Sequence, residues 1–567
     1  MDISRILKLA LIVEIIILLS NALAISRDYQ DSWILEGLEI PFMLFVATYA
    51  LAFYSEKKVP SMVLLAVIGR LVFMLIPNLK YIWFQGVSID QHVQYGLANH
   101  VYNEGYIATL GAFGTRVYGS TPLIHLNFAT FSIVLNMPVV DSLKYLPVLL
   151  SSIYPLLTYV IMKKFKFPKG TTALKYALFI SSVPFSPEKY TVTGSQFGVL
   201  LTFLILGSLV MLFQKNDRRH LSIFILFIFT LAGAHSSSSV LLTIFLLTAM
   251  LLQKIPYFRL KSYLKVPELF TATLISVGWL VFQANFTFNH MIYLAFVGAP
   301  TGATARTEQV PLRFFELARV DILAAINTFL SLYGPDVFLL LLTLAGLTIL
   351  LKRRKQLDNS SKFLFLIGGV ILLYLPIAYL AKIGPFRVLH FASSLFPIFS
   401  GIFIFHTCKR KRWVAAVILS LIVLLATVKL YRYQPLIPSA SILIENLPAN
   451  EPILYLGGVN SIYQRQMIEF ARNYVRGRIA CDQVTQNQII GLTEASFSTT
   501  HLAWYYPLDK SQLERRYDCF LVHLPGVSGR LKEQAEMRTR DLILGVIYNS
   551  SVIYTNGESY ALAHTPT

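Results

Sequence analysis

One acidic residue in a short polar stretch is the most chemically suggestive feature of this sequence. Asp90 lies in Ser88-Ile-Asp-Gln-His92, just after a hydrophobic run that ends near Pro77. Carboxylates with restricted access to water have pKa values shifted toward the range useful for a general base. The stretch therefore predicts chemistry on a lipid-borne substrate, with Asp90 as the base and His92 beside the substrate. A solvated loop aspartate is the alternative.

Other residues of the same polar stretch could bind a phosphate or a metal. Arg116 and Tyr118 close it, and a guanidinium binds two phosphate oxygens at once; anchoring at headgroup depth is the alternative. His100 and Glu104 are one helical turn apart and could join Asp90 around Mg²⁺ or Mn²⁺. Ordinary polar surface side chains are the alternative, because the stretch has no DxD motif. No other cofactor is indicated.

A second candidate binding site lies late in the chain, in Gly384-Pro-Phe-Arg-Val-Leu-His390. Arg387 enters a hydrophobic run from the predicted outer side, against the usual bias of basic residues, and needs an anionic partner. A polyprenyl phosphate would supply one, with Arg387 and His390 as binding residues; lipid headgroups are the alternative. Glu14 and Arg70, within earlier runs, should pair with each other or with nearby polar groups.

Composition places these residues in a multi-pass membrane protein. The 567-residue chain is 55% hydrophobic and only 14% charged, whereas soluble domains are about 25% charged. Apolar runs of about 17–22 residues recur, each long enough to cross a hydrocarbon core of about 30 Å. They predict a polytopic α-helical fold of about 13–14 hydrophobic segments. These lie near 6–24, 38–54, 60–77, 122–137, 142–162, 172–185, 195–214, 219–234, 236–253, 268–287, 334–351, 362–380, 387–407 and 413–430.

The charge distribution predicts the orientation and the domain division. The net charge is +19, and the tail 431–567 carries 12 residues of each sign, so the whole excess lies in residues 1–430. Short basic loops such as 352–355 and 409–412 predict cytoplasmic sides rather than nucleic-acid binding. The predicted domains are a transmembrane domain, 1–430, with a catalytic outer loop, 78–121, and an extracytoplasmic domain, 431–567.

Segment 122–137 is inconsistent with this orientation. The outer loop 78–121 and the basic loop 163–169 require an odd number of crossings, but two hydrophobic segments lie between them. The shorter segment, 122–137, contains His125 and Asn127, so we predict that it is re-entrant or interfacial. The alternative is that loop 163–169 is an exception to the positive-inside tendency.

The tail predicts a small α/β domain. Val552-Ile-Tyr-Thr-Asn-Gly-Glu-Ser-Tyr-Ala-Leu-Ala563 has the pattern of two strands around an Asn-Gly turn. Further strand patterns occur at 453–457 and 517–523, and helix-like stretches occur at 462–475 and 530–544. No glycine-rich phosphate loop opens these helices, which disfavours nucleotide binding.

The chain resembles the GT-C superfamily, the polytopic glycosyltransferases that use lipid-linked sugars. Ser88-Ile-Asp-Gln-His92, followed by Ala98-Asn-His-Val-Tyr-Asn-Glu-Gly105, is similar to the first catalytic outer loop, with its acid and a helix that ends at glycine. Three further stretches resemble features of the family. Thr121-Pro-Leu-Ile-His125 resembles the start of the next membrane segment, and Phe386-Arg-Val-Leu-His-Phe-Ala392 resembles the late arginine-bearing helix. Ile553-Tyr-Thr-Asn-Gly-Glu558 resembles the closing hairpin of some archaeal members. The chain differs in having two spans before the expected first helix and in lacking the paired acidic motif of metal-dependent members.

The resemblance implies a glycosyltransferase of the cell membrane that builds cell-envelope glycans, as a hexosyl- or pentosyltransferase. Its donor would be a polyprenyl-phosphate-linked sugar, and its acceptor an extracytoplasmic glycan, lipid or protein. Asp90 would be the base, and Arg387 with Arg116 would hold the leaving phosphate. The alternative is a transporter or flippase of lipid-linked sugars without catalysis, which the absence of internal repeats disfavours. A third reading is a non-catalytic scaffold with an outer binding domain.

Overall fold

The structure of the protein is a computed structural model. It describes residues 3–27, 33–79, 90–106, 120–164, 171–184, 194–215, 218–255, 265–285, 288–289, 334–380, 385–408, 412–433, 479–481, 499–501, 519–523, 551–555 and 559–563.

Helices dominate the described residues before residue 434. They are α1 (Ile3–Arg27), α2 (Trp33–Ser55), α3 (Val59–Leu79), α4 (Asp90–Glu104), α5 (Pro122–Leu135), α6 (Val139–Ser152), α7 (Tyr154–Lys164), α8 (Thr171–Ser182), α9 (Gly194–Lys215), α10 (Arg218–Ala234), α11 (Ser236–Gln253), α12 (Val266–Gly278), α13 (Gly334–Lys352), α14 (Asn359–Leu380), α15 (Pro385–Cys408) and α16 (Arg412–Tyr433). A π-helical turn, Trp279–Gln283, continues α12.

The helices have the lengths and composition of a multi-pass membrane protein. Among the described residues, seven stretches are long and apolar enough to span a membrane: Ile3–Leu23, Val59–Ile76, Val139–Lys163, Ser236–Gln253, Val266–Gln283, Gly334–Lys352 and Phe391–Cys408. Six shorter apolar helices are Ile40–Ser55, Pro122–Leu135, Phe197–Leu212, Arg219–Ala234, Ser361–Ile377 and Trp413–Ala426. The predicted polytopic α-helical class is confirmed.

Helix α5 is short for a membrane span. Its 14 residues extend only about 21 Å, less than the hydrocarbon core of about 30 Å. A turn with Asn136 at φ 50° follows it, and α6 begins at Val139. The length of α5 supports the prediction that segment 122–137 is re-entrant or interfacial.

Helix α15 forms much of the helical core. Its stretch Phe391–Cys408 is 78% buried, whereas Ile3–Leu23 of α1 is only 17% buried. Small residues bring neighbouring helices against it, as is common inside membranes. A Cβ atom at Gly346 of α13 would lie 2.1 Å from the Phe399 carbonyl oxygen, and one at Gly401 would lie 2.8 Å from the Ala177 nitrogen of α8. The backbones of α13 and α8 therefore touch that of α15.

A buried arginine connects α3 to the ends of two other helices. Arg70, in α3 and 2% exposed, donates from Nε to the Ser151 carbonyl at 2.8 Å and from Nη1 to the Ser181 carbonyl at 2.8 Å. These carbonyls lie in the last turns of α6 and α8, where the helix supplies no partner. The guanidinium also lies 4.9 Å from the centroid of the Tyr154 ring, at the start of α7. Arg70 thus satisfies helix ends that fall among buried side chains.

Glu14, within the apolar stretch of α1, has a hydrogen-bond partner on the neighbouring helix. Thr48 Oγ1 of α2 donates to Glu14 Oε1 of α1 at 2.8 Å. The described contacts therefore pair Glu14 and Arg70 with nearby polar groups, which is one of the two predicted arrangements.

A charged cluster joins helices at the predicted cytoplasmic end. Glu56, between α2 and α3, pairs with Lys8 of α1. Its Oε1 accepts from the backbone N–H groups of Lys57 at 3.1 Å and Lys58 at 3.0 Å. Burial by itself raises the pKa of the Glu56 carboxyl, but the hydrogen bonds and the Lys8 charge outweigh it, and the pKa lies below its usual value. Lys175 of α8 donates to the Glu56 carbonyl at 2.9 Å.

The described part of the tail is a five-stranded sheet. Its strands are β1 (Ile479–Cys481), β2 (Thr499–His501), β3 (Cys519–His523), β4 (Ser551–Thr555) and β5 (Ser559–Ala563), in the order β2-β1-β3-β5-β4. β1 pairs in parallel with β2 and β3, and β5 pairs antiparallel with β3 and β4. The predicted hairpin and the strand at 517–523 are confirmed. Segments 453–457, 462–475 and 530–544 lie outside the described residues, so the α/β domain as a whole stays a prediction.

By their contacts, the residues group into two compact units. One comprises Met1–Lys80, Ser120–Ile124 and Tyr145–Gln434, and the other comprises Tyr81–Gly119, His125–Lys144 and Pro435–Thr567. The division at residue 430 predicted from the sequence stays a prediction.

Candidate active site

The predicted catalytic acid stands at the start of a helix. Asp90 is the first residue of α4, a position where the helix dipole favours a carboxylate. Gly105 ends the helix: its φ is 74°, and its N–H donates to the Val101 carbonyl at 3.0 Å. Glycine adopts this left-handed conformation without strain. The predicted helix that ends at glycine is confirmed, while the side chains of Asp90 and His92 lie outside the described residues.

One face of α4 is buried. It comprises Gln94, Leu97, Ala98 and Val101, none more than 7% exposed, at the i, i+3, i+4, i+7 spacing of one helix face. Asp90 occupies the position one turn before Gln94, on the same side of the helix. The positions of Asp90 and Gln94 are therefore aligned along α4.

The predicted metal ligands of α4 differ in exposure. The His100 ring packs edge-on against Tyr106 at 4.8 Å between centroids. Its Nε2 is buried and has no hydrogen-bond partner among the described residues. Glu104, one turn later, is exposed. Within the described ranges, no three His, Cys, Asp or Glu side chains are grouped to hold a metal ion.

Sequence analysis missed a buried cation. Lys144 of α6 is 6% exposed, and Asp141, in the first turn of the same helix, interacts with it electrostatically. Residues 125–144 belong to the same compact unit as α4. A buried ammonium is chemically suited to a phosphate. The only signal in the sequence is the Asp-x-x-Lys spacing at a helix start.

The late arginine-bearing helix is confirmed in its backbone. Helix α15 begins at Pro385, a residue favoured in the first turn because its missing N–H costs nothing there. Arg387 and His390 therefore lie in the first two turns, but their side chains are outside the described residues. Arg116 and Tyr118 lie outside the described residues altogether.

His235 caps a helix. Its Nδ1 accepts from the Ser238 N–H at 3.3 Å and lies 2.5 Å from Ser238 Oγ. Because these contacts satisfy the N-terminus of α11, His235 has a local structural role.

The arrangement of helices is that of a polytopic membrane protein, and solved structures of similar fold exist. No family model and no curated protein matches the chain. The archaeal oligosaccharyltransferase AglB from Archaeoglobus fulgidus, in complex with an inhibitory peptide and a dolichol-phosphate, matches with a TM-score of 0.50 and 10% identity over 89% of this chain and 74% of that one. A crystal structure of the Archaeoglobus fulgidus oligosaccharyltransferase with Zn and sulfate matches with a TM-score of 0.50 and 12% identity over 89% of this chain and 73% of that one. At this identity the likeness shows a shared fold, and that fold agrees with the one that the GT-C resemblance implies.

Proposed function

We propose that the protein is a membrane glycosyltransferase that moves a hexosyl or pentosyl group from a polyprenyl-phosphate-linked donor to an extracytoplasmic glycan, lipid or protein. The observation that carries this proposal is the helix α4, opened by Asp90 and closed by Gly105, within the fold of an oligosaccharyltransferase. That neighbour is in complex with a dolichol-phosphate and a peptide. These ligands support a lipid-linked donor and a polymeric acceptor in kind.

The proposed reaction is a displacement at the anomeric carbon. Asp90 takes the proton of the acceptor hydroxyl as its oxygen bonds to the anomeric carbon. The bond from that carbon to the phosphate oxygen breaks, and its electron pair leaves with the polyprenyl phosphate. General-base help of this kind contributes about 10²–10⁴-fold in rate.

Cationic groups stabilise the charge that develops on the leaving phosphate. Arg387 and Arg116 are the proposed phosphate ligands. Tyr118, His390 and His92 complete the proposed binding residues.

A divalent metal is a separate part of the proposal. One structural neighbour is in complex with Zn, and Asp90, His100 and Glu104 are the proposed ligands here. Among the described residues His100 Nε2 is buried and Glu104 is exposed. No step is therefore assigned to a metal, and sensitivity of the reaction to EDTA tests this part.

The test uses the purified full chain in detergent. Given polyprenyl-phosphate sugars and candidate acceptors, the protein should yield glycosylated acceptor and free polyprenyl phosphate in equal amounts, measured by mass spectrometry. A transporter or flippase binds the same lipid but forms no product in detergent. Donor binding without product across the acceptor panel would overturn the proposal in favour of transport.

A further inference from the structure

Gln94 is a buried amide whose carbonyl oxygen has no donor among the described residues. The residue is 1% exposed, and its Oε1 has no hydrogen-bond partner among the described residues. Buried side-chain carbonyls in native proteins are almost always hydrogen-bonded, because an unsatisfied one destabilises the fold. The Gln94 oxygen therefore requires a partner outside the described residues, and a bound substrate is one such partner.

The position of Gln94 points to the identity of that partner. Gln94 lies one turn after Asp90, about 6 Å farther along the α4 axis, on the face shared with Leu97, Ala98 and Val101. Among the side chains of α4 that the structure describes, His100 Nε2 is also without a partner, and His100 lies about 120° away around the helix. Gln94 is thus a buried polar residue one turn after the position of Asp90.

The amide has the chemistry to bind a sugar. Its oxygen accepts one hydrogen bond and its nitrogen donates, so a single amide can accept from one hydroxyl and donate to the next. The flanking Leu97, Ala98 and Val101 are apolar and offer no competing partner. A carbohydrate hydroxyl pair matches this arrangement.

We infer that Gln94 is a substrate-binding residue that holds hydroxyl groups of a sugar beside Asp90. The inference rests on the proposed transfer reaction. The sugar belongs to the donor or to the acceptor, and the Michaelis constants for the two substrates distinguish these sources.

The test is Gln94→Leu, which removes both polar atoms in an apolar side chain that is one atom shorter. Loss of hydrogen bonds to a neutral hydroxyl should raise KM about tenfold for one substrate. At the same time, the unfolding midpoint should stay equal or rise, because the orphan carbonyl is gone. Weaker binding together with unreduced stability is not expected of a residue that serves only the fold.

Two further variants complete the test. Gln94→Asn retracts the amide by one methylene and should raise KM for the same substrate while keeping kcat, which covers the case in which Gln94→Leu fails to fold. Ser132→Ala is the matched control: Ser132 of α5 is 0% exposed, and its Oγ has no partner among the described residues. It should leave both KM values unchanged.

The failures are distinguishable. An active wild-type protein whose Gln94 variants keep both KM values overturns the role of Gln94 and leaves the transfer reaction standing. A wild-type protein that forms no product with any donor overturns the transfer reaction, and this inference with it.

Discussion

Replacing Arg70 with methionine should destabilise the helical core strongly. Arg70 donates to the Ser151 and Ser181 carbonyls at 2.8 Å each, and from Nη2 to Ser151 Oγ at 2.9 Å. Methionine fills a similar volume but leaves two buried carbonyls at helix ends without a donor. At about 1–3 kcal/mol for each carbonyl, the unfolding free energy should fall by about 2–6 kcal/mol.

Arg70→Lys should recover part of this loss. An ammonium on one stem can reach one of the two carbonyls but lacks the fork that serves both helix ends. We expect roughly half of the methionine effect. The order of stability should be wild type, then lysine, then methionine.

The measurement is unfolding of purified protein in mixed micelles, followed by circular dichroism as denaturing detergent is increased. Arg353→Met is the matched control, because Arg353 is exposed at the end of α13 and should change stability by less than about 0.5 kcal/mol. If Arg70→Met unfolds within about 0.5 kcal/mol of wild type, Arg70 does not hold these helix ends and the reasoning is refuted.

Three other predictions follow from charged groups. Glu56→Gln should cost about 1 kcal/mol at neutral pH; because the folded pKa of Glu56 is lowered, the difference should shrink as pH falls below its ordinary 4.5, and a pH-independent difference would contradict the Lys8 pair. In intact cells, a membrane-impermeant thiol reagent should label cysteines in the tail, whereas cysteines introduced near Lys355 should be labelled only after lysis. The reverse pattern would invert the predicted orientation. Arg387→Ala should weaken polyprenyl-phosphate binding, with Arg387→Lys restoring it in part, and unchanged binding would make Arg387 a headgroup anchor.

Hydrophobic runs predicted most of the described helices, because lipid offers the backbone no hydrogen-bond partners. Inside a bilayer every N–H and C=O group must be satisfied within the segment, so a long apolar run forms a helix. Helix α11, Ser236–Gln253, coincides with the predicted run 236–253, and α3, Val59–Leu79, closely follows 60–77.

The sequence could not predict where a continuous run breaks. The predicted span 142–162 is divided into α6 and α7 at Ile153, and Arg70 binds the Ser151 carbonyl beside that break. Nothing in the local composition specifies a partner 81 residues away. The partners of Arg70 arise from tertiary packing and could only be given as alternatives.

Buried polar residues of the candidate site were missed for a related reason. Gln94 lies in a polar stretch whose pattern does not reveal which face of α4 is buried, so it looked like a surface residue. Lys144 sits near a helix start, where lysine is normally solvated. Asp90 and Arg387 could be proposed from the sequence because acids and arginines at membrane boundaries are unusual by themselves.

The most direct test of the proposed transfer is Asp90→Asn measured for transfer and donor binding in the same preparation. Asparagine keeps the size of the side chain and can no longer accept the acceptor proton. The account predicts that transfer from a polyprenyl-phosphate sugar falls by about 100-fold or more, while the Kd for the lipid-linked donor stays close to wild type. Transfer at a near-normal rate by Asp90→Asn would remove Asp90 from the reaction and contradict the proposed mechanism.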